Sequence, residues 1–315
     1  MDGASLLYNL SFVLQESGTS SFMDVRGSYA CLYEAAKEFA KRTNVPTSKQ
    51  TISIVYNQTE YNLNPDFMHL YFRDFNNDQI IRFTTLSSSQ VTNLVWRDYD
   101  MFSQGQASSP APVPVPGSFT IADKTPPLAN ITGLASASGA LTYEESALID
   151  TTPATSLTNA YPGDSVHNVT DGSTGIITEY VSASQVKTVL FGGTNNYWTA
   201  GDSYVIVPQN RKVLVIDPPP LNSGDTITVD YVQTPNPVFS SYRSYRIDSS
   251  YEMTLCAYAA FLYKYRDRQP QFGDALYKIW EAGIRKATQG TNKSQNKNSI
   301  KVNLHRRSLR DRSYR

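Results

Sequence analysis

Between Tyr251 and Ala287 the chain carries two consecutive apolar stripes at helical spacing, and this pair constrains the fold more than any other feature. Tyr251, Leu255, Tyr258, Ala259, Leu262 and Tyr265 recur on one face behind a cap offered by Asp248 or Ser249. "DRQPQFGD" breaks the run at Pro270, and Asp274 opens a second run with Leu276, Ile279, Trp280, Ile284 and Ala287 before Gly290 stops it. A stripe of that width has to be covered by another element. Suitable partners stand at the opposite end of the chain, where Leu6, Leu7, Leu10, Val13 and Leu14 form one stripe. Val25, Tyr29, Leu32, Tyr33, Ala36, Phe39 and Ala40 form another after Asp24. Helices are therefore expected over 4–16, 24–42, 248–268 and 274–289.

The sequence between these helices alternates instead. "TISIVY", "HLYFRDF" and "QIIRFTT" have strand character, with "NND" as a hairpin turn between the last two. Val91, Leu94, Val95, Tyr99 and Phe102 suggest a short helix over Ser89 to Phe102, although Trp96 and Met101 fall off that face. Pro110, Pro112, Pro114 and Pro116 forbid a helix and mark an extended spacer. From Lys124 the composition turns to Ser, Thr, Gly and Ala with short alternations such as "GIITEYV" and "DSYVIV", which reads as an all-β insertion over 125–211. "KVLVID" and "DTITVDYVQTP" follow, joined by "PPPLNSG" as a hairpin. The expected class is α+β: an α-helical bundle built from N- and C-terminal helices with a small antiparallel sheet (strands around 51–85, 118–122 and 212–233), plus an inserted all-β sandwich or barrel-like domain and an extended C-terminal tail. The core then comprises 1–124 and 212–290, and the tail 291–315.

At 315 residues the chain is long enough for such a core without staples, and Cys31 and Cys256 read as small apolar residues rather than a disulfide. The first residues lack the pattern of a secretory leader and no apolar run reaches the ~20 residues of a membrane span, so synthesis in the cytoplasm is expected and the Asn57 and Asn168 sequons are set aside. The formal charge of zero hides an asymmetry: residues 291–315 hold eight bases and one acid, leaving twenty bases against twenty-seven acids in the body. A split of this kind suits a tail with a partner of its own.

Catalytic signatures are missing. His69, His167 and His305 are isolated, and "DFNNDQ" has Gln79 and Thr85 where a calcium loop needs Gly and Glu. "GDSVH" places Asp164, Ser165 and His167 on one short loop rather than converging from three, and the adjacent Glu144 and Glu145 would face apart. No enzyme activity, metal or cofactor is expected. What stands out is tyrosine, clustered with arginine in "FSSYRSYRIDSSYEM": Tyr242, Arg243, Tyr245, Arg246 and Tyr251 are candidates for a subunit interface, or else cover the edge of the core.

Three strings in order resemble the head-to-tail adaptor (connector) proteins of tailed bacteriophages: "TEYNLNPDFMHLYFRD" from Thr59, "KVLVIDPPPLNSGDTITVDYVQTPNPV" from Lys212, and the helical pair that begins "SSYEMTLCAYAAFLYKYRDRQP". The likeness covers 1–123 and 212–290. It implies a virion protein of the neck, made in the host cytoplasm and arranged as a ring of twelve copies under the portal. Such a ring joins capsid to tail proteins and surrounds the channel through which double-stranded DNA passes without specific binding. It also implies a carboxy-terminal tail that straps onto the portal, here Lys301, Leu304, His305, Arg306, Arg307, Leu309, Arg310, Arg312, Tyr314 and Arg315. No membrane is involved.

Two other readings are carried alongside. The basic tail suits DNA phosphates, although it lacks the interleaved aromatics of a single-strand binder. The β insertion suits an accessory role in docking tail fibres or a receptor, with Tyr197 and Trp198 as an aromatic surface or Trp198 as a core residue.

Overall fold

The computed structural model describes residues 1–15, 24–71, 81–98, 111–152, 157–209, 211–266 and 270–295. Helix α1 spans Gly3–Leu14 behind Asp2, whose carboxylate accepts from the Ser5 N–H at 2.7 Å, and α2 spans Val25–Thr43 behind Asp24. Asp248 caps a 3-10 turn that leads into α3, Glu252–Arg266. Helix α4 spans Pro270–Gln295. Pro270 therefore starts a helix rather than merely breaking one, because the first turn has no use for its missing N–H. Gly290 does not stop α4, which runs through it to Gln295. Helix α3 lies in the middle of this layer, against α1, α2 and α4. Leu6, Leu10, Leu32, Phe39, Leu255, Tyr263 and Trp280 share one buried cluster.

The strands in chain order are β1 (Thr47–Ser53), β2 (Glu60–Asn62), β3 (Phe67–Leu70), β4 (Ile81–Thr84), β5 (Val91–Trp96), β6 (Ser118–Asp123), β7 (Ile131–Leu134), β8 (Leu141–Thr142), β9 (Glu145–Ile149), β10 (Ser165–Asn168), β11 (Ser173–Ser182), β12 (Gln185–Phe191), β13 (Ser203–Val207), β14 (Lys212–Asp217) and β15 (Thr226–Gln233). The first sheet has eight of them, in the order β1-β15-β4-β5-β6-β14-β2 with β3 also on β15. Strand β15 is its centre. It pairs along its length with β1, and on its other side with β4 and β3 placed end to end. The sheet curls until its two edge strands are bridged by Gln50 of β1. That side chain donates to the Asn62 carbonyl at 3.1 Å and accepts from the Asn64 N–H at 2.9 Å. Seven strands form the second sheet, in the order β7-β13-β10-β11-β12-β9-β8.

This overturns the expected class. Among the described residues the protein is mostly sheet, with four helices and two large sheets, and not a helical bundle carrying a small one. Three local readings fail with it. Residues 91–96 form β5 rather than a helix: Leu94 is buried while Val91 and Val95 stay exposed, and Tyr99 and Phe102 lie outside the described residues. Strands β3 and β4 do not form a hairpin, since both pair with β15, and the "NND" turn lies outside the described residues. Strands β14 and β15 are not a hairpin either, because β4, β5 and β6 stand between them. Three consecutive prolines give the intervening corner no N–H for a ladder. Its carbonyls accept from other loops instead: Val113 N–H reaches Pro219 and Asn57 N–H reaches Pro220, both at 2.9 Å.

Strand β12 shows how the second sheet is held between two layers. Val186 and Leu190 enter the sheet's own core with Trp198 and Tyr204, whereas Val189 and Phe191 pack with the helices, Phe191 lying 6.0 Å edge-on from Phe239. Lys187 shares their face of the strand. The segment carrying this sheet leaves and rejoins the first sheet through β6 and β14, which pair antiparallel. Its flanking residues Asp123 and Lys212 are ladder partners joined by a 2.7 Å ion pair.

Candidate functional site

A cleft of about 550 Å³ opens between the second sheet and residues 240–243. One wall depends on Gly3. A Cβ there would overlap the Ser240 carbonyl, so only glycine lets the start of α1 lie against this segment, where its N–H donates to the Arg243 carbonyl at 2.8 Å. Asp2 bridges Ser244, and the Tyr245 N–H donates to the Met1 carbonyl at 3.0 Å. Thus fastened, the segment alternates: Tyr245 and Ile247 enter the helical core, while Tyr242, Ser244 and Arg246 face outward.

Arg243 turns toward the second sheet. Its Nε lies 2.8 Å from Glu145 Oε1 on β9, and its Nη2 donates to Glu179 Oε2 on β11 at 2.6 Å. Lys187 Nζ on β12 reaches the same Glu179 Oε2 at 3.0 Å. Burial would raise the Glu179 carboxyl, but hydrogen bonds from Lys187 and Arg243 together with their charges hold it below the usual carboxylate range. The carboxylate is therefore ionised at neutral pH. Four charges of alternating sign thus line the cleft, and none is set as an acid or base beside a nucleophile.

The lip of the cleft is the two-residue turn between β8 and β9. Thr142 pairs with Glu145, so Tyr143 and Glu144 are its central residues, and both take left-handed backbone at φ 50° and 73°. Such a turn favours Asn-Gly, and a tyrosine held there is strained. Two contacts hold it. The Tyr143 ring meets Tyr242 edge-to-face at 4.7 Å with hydroxyls 3.2 Å apart, and Glu144 accepts from Arg26 of α2 at 2.5 Å. Arg26 also donates to the Leu190 carbonyl at 3.1 Å. Glu144 and Glu145 do point apart, each to a different arginine.

The other candidate residues scatter. Tyr242 is 75% exposed and Arg246 is exposed, as a subunit interface requires. Tyr245 is instead buried, its phenol pushed well above the ordinary value of 10 by desolvation, and Tyr251 packs on Phe39 at 5.2 Å; both belong to the chain's own core. Trp198 is not an aromatic surface: it is wholly buried and donates to Thr188 Oγ1 at 2.8 Å, leaving Tyr197 partly exposed beside it. Lys301, Leu304, His305, Arg306, Arg307, Leu309, Arg310, Arg312, Tyr314 and Arg315 lie outside the described residues. His69 Nε2 pairs with Asn44 Oδ1 at 2.8 Å, and Asp164 holds the buried Arg211 at 2.8 Å, so neither belongs to a reactive group. Among the described residues no His, Cys, Asp and Glu side chains gather where they could hold a metal, and no helix is long and apolar enough to cross a membrane.

The sequence singles out Arg243, sets Glu145 aside as one of an adjacent pair that faces apart, and gives no sign of Glu179 or Lys187. Glu145, Glu179 and Lys187 arrive from strands 98, 64 and 56 residues away, and nothing local to any of them marks the meeting. Neither the family models nor the curated proteins compared with the chain match it.

Proposed function

We propose that the protein is a structural subunit of a tailed-phage neck, forming a head-to-tail adaptor ring below the portal that joins capsid to tail. One observation carries this reading. Helix α1 contains no charged residue, yet Tyr8 and Phe12, one turn apart on its outer face, are 72% and 71% exposed. Aromatic side chains exposed on the outer face of an uncharged helix are the kind of residue that protein interfaces bury. The order of the adaptor-like strings supports the same reading, as does the basic stretch after α4, whose Leu304 and Leu309 suit a protein groove better than phosphate. Arg26, Arg42, Arg82, Arg211 and Arg243 of the body each already hold a carboxylate, so the DNA-binding reading rests on the basic stretch after α4 alone.

The test is a docking assay on purified portal rings, read by native mass spectrometry. The full chain binds in a fixed ratio, with twelve copies expected, and a chain ending at Gln295 keeps its fold but no longer docks. Undiminished docking by the shortened chain removes the tail from the mechanism, and failure of the full chain to bind any portal ring removes the adaptor role.

A further inference from the structure

The Arg243 cleft offers a chemistry that assembly does not require. We infer that it is a binding site for a neutral oligosaccharide, held by the Tyr143–Tyr242 pair at its mouth and the Lys187–Glu179 pair on its wall. This inference stands apart from the adaptor reading, since it concerns the isolated chain.

The volume of about 550 Å³ lies within the ~300–1,000 Å³ range of small-ligand clefts. The sign of the ligand's charge follows from the lining. Glu145 and Glu179 repel an anion, Arg243 and Lys187 repel a cation, and the four sum to zero, so an uncharged ligand is the one that no wall opposes.

Its polarity follows from the hydrogen bonds left over. Lys187 and Arg243 both approach Glu179 at Oε2, at 3.0 and 2.6 Å, and the Glu179 side chain keeps 39% of its surface exposed. Lys187 has three N–H donors and is joined to this one carboxylate. A partly exposed ammonium and a partly exposed carboxylate thus stand side by side, each with capacity for a further hydrogen bond. Vicinal hydroxyls, each able to donate and accept, match such a pair in either direction.

At the mouth, Tyr143 and Tyr242 are 55% and 75% exposed, although their rings pack edge-to-face at an interplanar angle of 69°. Each ring presents an apolar face for the C–H side of a pyranose and a hydroxyl for its rim. The left-handed backbone that Tyr143 adopts is costly for tyrosine, and strain of that kind concentrates where a side chain has to be presented.

The experiment is saturation-transfer NMR on the full chain at pH 7, with maltose, lactose and N,N′-diacetylchitobiose as neutral probes. Sialyllactose serves as the anionic probe and glucosamine as the cationic one. At least one neutral disaccharide receives saturation, with affinity weakened tenfold or more by Tyr242→Ala and by Lys187→Ala. Tyr143→Asn, which suits the left-handed turn while removing the ring, gives the same loss, and Arg246→Ala leaves binding unchanged. Because Tyr242 is mostly exposed, its variant melts with the parent, which separates lost binding from lost fold. Absence of transfer to every neutral probe overturns the inference, as does transfer only to sialyllactose or only to glucosamine. Neutral binding that survives both tyrosine substitutions places the sugar elsewhere and overturns it equally.

Discussion

Arg211 is the most deeply buried cation that the structure describes, 8% exposed against an Asp164 that is 1% exposed. Two backbone N–H groups, of Tyr161 and Gln209, also donate to Asp164, and the Arg211 guanidinium lies 4.9 Å over the Tyr161 ring. Truncating one member of such a pair strands the other's charge. Arg211→Ala is therefore expected to cost about 3–5 kcal/mol in urea unfolding, and a cost below 1 kcal/mol would show that solvent reaches Asp164. Glu179 gives a pH prediction. Its folded-state affinity for protons is lower than the unfolded one, so the stabilisation is complete above the ordinary carboxylate value of 4.5 and is lost as pH falls through the lower folded value. The melting temperature of the parent should fall below that pH more steeply than that of Glu179→Gln, and parallel curves would remove Glu179 from the acid response. At this scale the sequence was a partial guide. It marked Arg243 through the company of tyrosines, but Arg211 and Asp164 had no such signal because their pairing spans 47 residues.

At the scale of elements, helices were legible and strands much less so. A helix satisfies its backbone locally, so its stripe reports its own burial: Leu6, Leu10 and Leu14 of α1 are all buried as their spacing implies. Strand β1, TSKQTIS, contains no buried residue, and the alternation of "TISIVY" overlaps only its last three residues. It exists because β15 supplies seven residues of ladder, and those bonds are made by backbone whatever the side chains. Strand β5 misled for the opposite reason, since Val91, Leu94 and Val95 have helical spacing although only Leu94 is buried. The outward face of α1 supplies the element-scale prediction. Tyr8→Ser with Phe12→Ser should leave the melting temperature of the isolated chain within a degree or two, because surface substitutions cost ~0.5 kcal/mol or less. The same pair should reduce self-association in sedimentation at least tenfold. A large loss of stability would mean that the two rings serve the monomer.

For the whole molecule, the pairing of β6 with β14 brings the ends of the intervening segment together, yet the second sheet is not merely appended. Val189 and Phe191 complete the helical core, and Arg26 and Arg243 tie Glu144, Glu145 and Glu179 to the helical layer. Replacing 125–211 by a two-residue turn between β6 and β14 should therefore preserve the first sheet but uncover Phe239. Increased binding of a hydrophobic dye and a lower melting temperature are the expected outcome, and an unchanged melting temperature would show that the two sheets are energetically independent. By itself the sequence determined the four helical segments at the two ends of the described chain, most of the residues they bury (Tyr265 and Ile279 of the stripes are exposed) and where positive charge accumulates, since each is written in residues close together along the chain. Only the tertiary structure decided which strands pair, that sheet outweighs helix, and that one arginine, one lysine and two glutamates share a cleft. Ladders are built from backbone groups common to every residue, and the cleft from side chains that only those ladders bring within 3 Å.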